Sequence, residues 1–166
     1  MRLHVESTLD MDPATAWGFL ESDAFRERLQ ARANVRVDLL SERTEGRVTI
    51  RQLRYVSGNE LPSIAAKILG SKQLTYEQTN RLDLERSRLE WTVKLPVAGD
   101  RVSVRGVTTI TATPTGCHRV VEGQITVAIP LVGGRIEAAV VAEFEKSMGR
   151  AVEIVRELAA EAAKRA

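Results

Sequence analysis

The sequence predicts an α+β fold: a curved antiparallel sheet of about seven strands wrapped on a long C-terminal helix, with two short helices after the first strand. Three observations carry this. Six consecutive runs between Val35 and Ile129 alternate apolar and polar residues with a period of two, the mark of strands covered on one side. No helical segment between them is long enough for a parallel crossover, so they are expected to pair antiparallel. Beyond Gly134, residues Ile136, Val140, Phe144, Met148, Ala151, Val155, Leu158 and Ala162 step by three and four, which places one apolar stripe on one long helix.

The first strand is RLHVEST, where Leu3, Val5 and Ser7 oppose His4, Glu6 and Thr8. In DMDPATAWGFLES, Asp12 is placed to cap a helix, Pro13 fits its first position, and Trp17 and Leu20 form its apolar edge. A second helix is expected from Ser22 or Asp23 to about Ala33, with Phe25 and Leu29 inward. Val35, Val37 and Leu39 then alternate with Arg36, Asp38 and Leu40. In RVTIRQLRYV, Val48 and Ile50 have one parity and Leu53 and Tyr55 the other, which predicts a bulge or sharp bend near Arg51 and Gln52. LTYEQTN groups Leu74, Tyr76 and Gln78, and RLEWTVKL groups Leu89, Trp91, Val93 and Leu95. RVSVRGVTTITAT places Val102, Val104, Gly106, Thr108 and Ile110 together; CHRVVEGQITVAI does the same for Val121, Gly123, Ile125, Val127 and Ile129. The final helix, from about Gly134 to Ala163, would be ~45 Å long at 1.5 Å per residue, enough to cross the sheet.

The junction IPLVGGRIE raises the question of a phosphate loop. Neither GxxxxGK[ST] nor GxGxxG is present, and the glycines follow a late antiparallel strand. Glu137, expected in the first helical turn, would repel an anion there. The reading is a corner, with Pro130 ending the ladder and Gly133 and Gly134 supplying backbone angles that other residues resist.

At 166 residues, with 43% hydrophobic and 28% charged residues, the chain fits one soluble domain spanning 1–166. Its apolar runs are far short of a membrane span, and the N-terminus has no stretch suited to a secretory signal, so the cytoplasm is expected. Cys117 is the sole cysteine, and with only His4 and His118 it makes no convincing metal set; no cofactor is implied. Cys117 and His118 are adjacent on a strand and should face opposite ways, which argues against a nucleophilic dyad. Arginines gather at Arg26, Arg28, Arg32 and Arg36, but acidic residues are interspersed, aromatics make up 4% and the net charge is +2. A nucleic-acid partner is therefore not expected.

The order of elements, together with LPSIAAKILG, TYEQTN, KLPVAGDRVSVRG and above all EGQITVAIPLVGGRIE, resembles the helix-grip fold of the START or birch-pollen-allergen-like superfamily. Within it the chain looks like a bacterial family of uncharacterised function. The superfamily includes lipid-transfer proteins, plant hormone receptors, polyketide cyclases and chaperone-activating domains. The resemblance covers nearly the whole chain and departs after TYEQTN, where Asn80, Arg81 and Leu82 stand in place of Glu-Arg-Trp. It implies a cavity between sheet and helix for an apolar small molecule, and no catalytic residue.

No catalytic set stands out. Gln78 and Gln52 are singled out as amides that share a face with apolar neighbours and must find partners if buried. Gly106 and Gly123 lie inward on neighbouring strands, where they make room for a ligand or let the sheet bend. Met148 followed by Gly149 weakens the long helix, and a bend there would widen the space beneath it. The candidate ligand-binding residues are Tyr76, Gln78, Trp91, Gly106, Gly123, Ile125, Val140, Phe144 and Met148. Leu61, Ile64 and Ile68, on one side of a short helix, form a candidate lid or plug with at most transient membrane contact. The leading expectation is a non-catalytic binder or carrier of a lipid, isoprenoid or polyketide. Two alternatives stand beside it: a cyclase or dehydratase using Tyr76, and a protein-interaction module with a filled core.

Overall fold

The computed structural model describes residues Met1–Ala166. β1 (Arg2–Leu9) leads into α1 (Pro13–Leu20) and α2 (Asp23–Ala33), followed by β2 (Val35–Glu45) and β3 (Val48–Glu60). Then come α3 (Ser63–Leu69), β4 (Gln73–Asp83), β5 (Arg88–Lys94), a 3-10 turn at Gly99–Arg101, β6 (Val102–Thr113), β7 (Gly116–Val127) and α4 (Gly133–Arg165). The strands form one antiparallel sheet in the order β1-β7-β6-β5-β4-β3-β2. Its concave face grips α4, which is ~50 Å long at 1.5 Å per residue. This is the helix-grip architecture the alternation and the helical stripe predict. No helix is long and apolar enough to cross a membrane.

The short helices begin where their caps dictate. The Asp12 carboxylate accepts the Thr15 N–H at 2.9 Å and Pro13 opens α1; the Ser22 hydroxyl accepts the Phe25 N–H at 3.2 Å and opens α2. Asn34, in the left-handed region at φ 49°, ends α2. The arginine cluster is engaged within the protein. Arg28 reaches Glu161 at 2.6 Å and Arg32 meets Glu157, joining α2 to α4, while Arg26 pairs with Asp23 and Arg36 with Asp38.

Two apolar clusters fill the space between sheet and helices. One joins Ala151, Val152, Ile154, Val155 and Leu158 of α4 to Trp17, Phe25, Leu9, Ile110 and Cys117, all buried. The other is a patch of the sheet itself, Leu3, Trp91, Val93, Val104, Val121, Ile125 and Val127. Against it lean Ile136, Val140, Val141, Phe144 and Met148 of α4, each only partly buried. The same helical stripe is therefore sealed in its C-terminal half and open in its N-terminal half.

Two expectations are corrected. The irregularity near Arg51 and Gln52 lies on the partner strand: β3 runs in unbroken register with β4 from Val48 to Val56, while β2 slips by one residue between Leu39 and Ser41. The extra residue is Leu40, and because β3 itself stays regular, Ile50 and Leu53 face opposite sides of the sheet. At the corner, the left-handed residue is Leu131, at φ 68°, and neither Gly133 nor Gly134 has a positive φ. Gly133 is needed for a different reason, because any Cβ there would collide with the Val127 carbonyl oxygen. Glu137 sits one turn into α4, where its carboxylate accepts the Val127 N–H at 2.9 Å and meets the Met1 ammonium at 3.1 Å. These contacts hold its carboxyl below the usual range, with the Val127 N–H foremost. Glu137 thus pins the end of β7 to the start of the helix.

Candidate functional site

Two aromatic pairs define the open part of the concave face. Tyr55 and Tyr76 lie opposite each other on β3 and β4, with ring centroids 4.8 Å apart and planes within 8°. Trp91, from β5, stacks on Phe144 of α4 at 5.5 Å and 19°. α4 makes its close contacts with β7, β1, α1 and α2, so the concave surface of β3 and β4 beside it, here termed the trough, is less closely covered by the helix. Tyr76, Leu53 and Gln78 line that surface by their parity and register. Glu21, at the end of α1, meets Arg51 of β3 and closes the trough toward the short helices.

Both tyrosines are half-buried, and neither hydroxyl makes a hydrogen bond within the protein. Burial pushes the Tyr55 hydroxyl up to about 12, helped by the nearby Glu21 carboxylate, and pushes Tyr76 up as well. At neutral pH both are protonated. They are suited to donate a hydrogen bond to a guest and poorly suited to act as a base.

The glycines take on a specific meaning. Gly106 and Gly123 face each other across β6 and β7, and the Trp91 indole lies flat over both. A Cβ built on Gly106 would come within 2.7 Å of Trp91 Cη2, and one on Gly123 within 2.9 Å of the same atom. The room left by the missing side chains is occupied by Trp91 rather than free for a ligand. A guest would meet the Trp91–Phe144 pair, not the glycines.

The remaining candidates divide. Val140 and Met148 join Phe144 on the partly buried half of α4, whereas Ile125 has no exposed surface and belongs to the sealed patch beneath. Gln78 donates to Asn80 Oδ1 at 2.8 Å along its own strand. Gln52 does not share the apolar face; its amide lies 3.4 Å from Glu77, beside Arg54, on the charged side of β3. α3 buries no residue, and Ile64 is 72% exposed, with Leu61 and Ile68 partly covered. α3 stands at the rim between β3 and β4 without plugging the interior. α4 runs unbroken through Gly149.

Two clefts open elsewhere. One of about 330 Å³ lies at the C-terminal end of α2, lined by Gln30, Asn34, Arg36, Ser57 and Gln73 with two valines. The other, about 140 Å³, is walled by Arg81, Asp83, Arg86, Arg88 and Glu90. Both are polar and neither involves the aromatic pairs.

Alternation read from Val121 onward missed one inward residue. Arg119 shares the parity of Val121 and Gly123, and it is buried on the concave face, in register with Ser7 of β1 and Ile110 of β6. Extending the same face two residues toward the N-terminus would have found it. Tyr55 was missed for a similar reason, since its parity was assigned but its cross-strand partner was not.

A family model described as "Protein of unknown function (DUF2505)" matches residues 4–158. The chain belongs to this family. No curated protein matches the sequence. Solved structures share the fold of this DUF2505 chain at low identity. A Thermus thermophilus protein, TTHA0849, is 16% identical with a TM-score of 0.66, over 96% of this chain and 99% of that one. The ZhuI aromatase/cyclase from Streptomyces sp. R1128 is 13% identical with a TM-score of 0.61, over 93% and 92%. Ara h 8.0201 is 12% identical with a TM-score of 0.64, over 95% and 98%. These likenesses show that the chain shares the helix-grip fold of those structures.

Proposed function

We propose that this DUF2505 protein is a non-catalytic binder or carrier of an apolar small molecule, of lipid, isoprenoid or polyketide character, acting as one binding domain. One observation carries the reading. The apolar stripe of α4 continues over its whole length, but full burial is confined to the half beyond Met148, and the partly buried half leans on the sheet patch around Trp91, which Tyr76 also borders. Apolar surface left accessible inside a concave wall gains free energy when a guest covers it, by roughly 25 cal/mol per Å². The kinship of fold with an aromatase/cyclase is compatible with a guest of this kind. The enzymatic alternative as read from the sequence relies on Tyr76, whose raised phenol is poorly suited to act as a base. α3, placed at the rim, is the candidate lid.

A titration with the neutral dye N-phenyl-1-naphthylamine tests this. Wild-type protein is expected to bind the dye with a rise in its fluorescence. Val140→Asp, which sets a carboxylate on the open half of α4, is expected to weaken binding at least about tenfold, since an unpaired charge resists burial under the dye. Equal binding by Val140→Asp and wild type would place the dye elsewhere and contradict the proposal.

A further inference from the structure

Arg119 projects from β7 under α4, between Cys117 of one apolar cluster and Val121 of the other, and is only 7% exposed. Its sole hydrogen-bond partner is the Met148 sulfur, 3.3 Å from Nη2, and thioether sulfur is a weak acceptor. Nε is the only buried side-chain nitrogen or oxygen in the structure without a partner. No carboxylate lies near: burial alone lowers its pKa, to about 10, so the guanidinium remains charged at neutral pH.

A buried charge with no counter-charge is unfavourable, and proteins that need an inert core residue at such a position use an apolar one. The other covered arginine of the concave face, Arg51, is paired with both Glu21 and Glu42. Arg119 has no such partner. It contacts Met148, the residue at which the buried half of α4 gives way to the partly buried half along which the guest is proposed to lie. From Met148 the helix offers Phe144, Val140 and Ile136 in succession, a run of ~18 Å at 1.5 Å per residue.

We propose that Arg119 is the head-group anchor of the trough and that the guest is an amphipathic acid, its carboxylate or comparable singly charged acid group held by the guanidinium and its apolar body lying along α4 from Met148 toward Ile136. The inference rests on the binder reading and narrows its ligand class. Arginine suits the role because its planar fork matches a carboxylate in two parallel hydrogen bonds and stays charged when desolvated. The guest supplies the counter-charge that the fold omits, while Trp91, Phe144 and the two tyrosines receive its apolar part.

Dodecanoic acid and 1-dodecanol share an apolar body and differ in the head group. Competing each against N-phenyl-1-naphthylamine at neutral pH therefore isolates the head. Wild type is expected to bind the acid at least about tenfold more tightly than the alcohol, the scale of a charge-assisted hydrogen bond. Arg119→Met, apolar and similar in length, is expected to lose that preference while binding the alcohol within about twofold of wild type. Arg119→Lys is expected to keep part of it. Without ligand, Arg119→Met should melt no lower than wild type, and a clearly lower melting temperature would assign the guanidinium to the fold and overturn the anchor. Equal binding of acid and alcohol by wild type, or a preference that survives Arg119→Met, would overturn the anchor and leave the binder standing. Failure of dye, acid and alcohol alike to bind would remove the binder reading, and the anchor with it.

Discussion

Trp91→Ala is expected to lower the unfolding free energy by about 3–5 kcal/mol, as for other buried aromatic residues cut to alanine. The indole is 5% exposed, covers Gly106 and Gly123 on one side and stacks on Phe144 on the other. Removing it leaves a hole that two glycines cannot help to fill, because they have no side chains to relax inward. For a chain of this size the melting temperature should fall by on the order of 10 °C, at about 2–4 °C per kcal/mol. Chemical denaturation monitored by far-ultraviolet circular dichroism measures the loss. A change below about 1 kcal/mol would mean that Trp91 does not bridge sheet and helix as described.

Gly106→Ala should be nearly as damaging, although it adds a single methyl group. The new Cβ would meet the Trp91 ring on one side and the Glu122 carbonyl oxygen of β7 on the other. The backbone of a central strand cannot move aside, so the ring must leave its place. Overpacking of this kind costs about 1–3 kcal/mol and more where the obstacle is backbone. Gly149→Ala is the control: nothing lies within 4 Å of a Cβ there, and replacing a helical glycine should stabilise α4 by about 1 kcal/mol. Residues in contact do not act additively, so Gly106→Ala combined with Trp91→Ala should cost clearly less than the sum of the two. Additive losses in the double variant would show that the glycine and the indole are not in contact.

How much of this was legible in the sequence differs from element to element. Strand parity and the helical stripe were written in the order of residues, so the faces carrying Leu3, Trp91, Val104, Ile125 and Val155 were readable in advance. The cap at Asp12 was readable too, because capping needs only a particular side chain at a particular offset. What alternation does not encode is distance between faces. It marked Gly106 and Gly123 as inward but not that Trp91, one and two strands away, lies over both. The left-handed residue of the corner was expected at a glycine and is Leu131, because the close approach of Val127 claims Gly133 for steric reasons. The boundary of burial at Met148 depends on where α1 and α2 stop covering α4, which no local pattern records. Arg119 was hidden by habit of reading: an arginine in a strand is assigned outward unless its parity is followed through.

Native mass spectrometry of gently purified protein, followed by organic extraction, shows whether the partly buried half of α4 holds a small molecule. Wild-type protein is expected to carry a one-to-one apolar adduct that is lost on Val140→Asp. Bare protein, which also takes up nothing from a broad panel of lipids and polyketides, would contradict the binder and leave a surface-interaction module as the better reading.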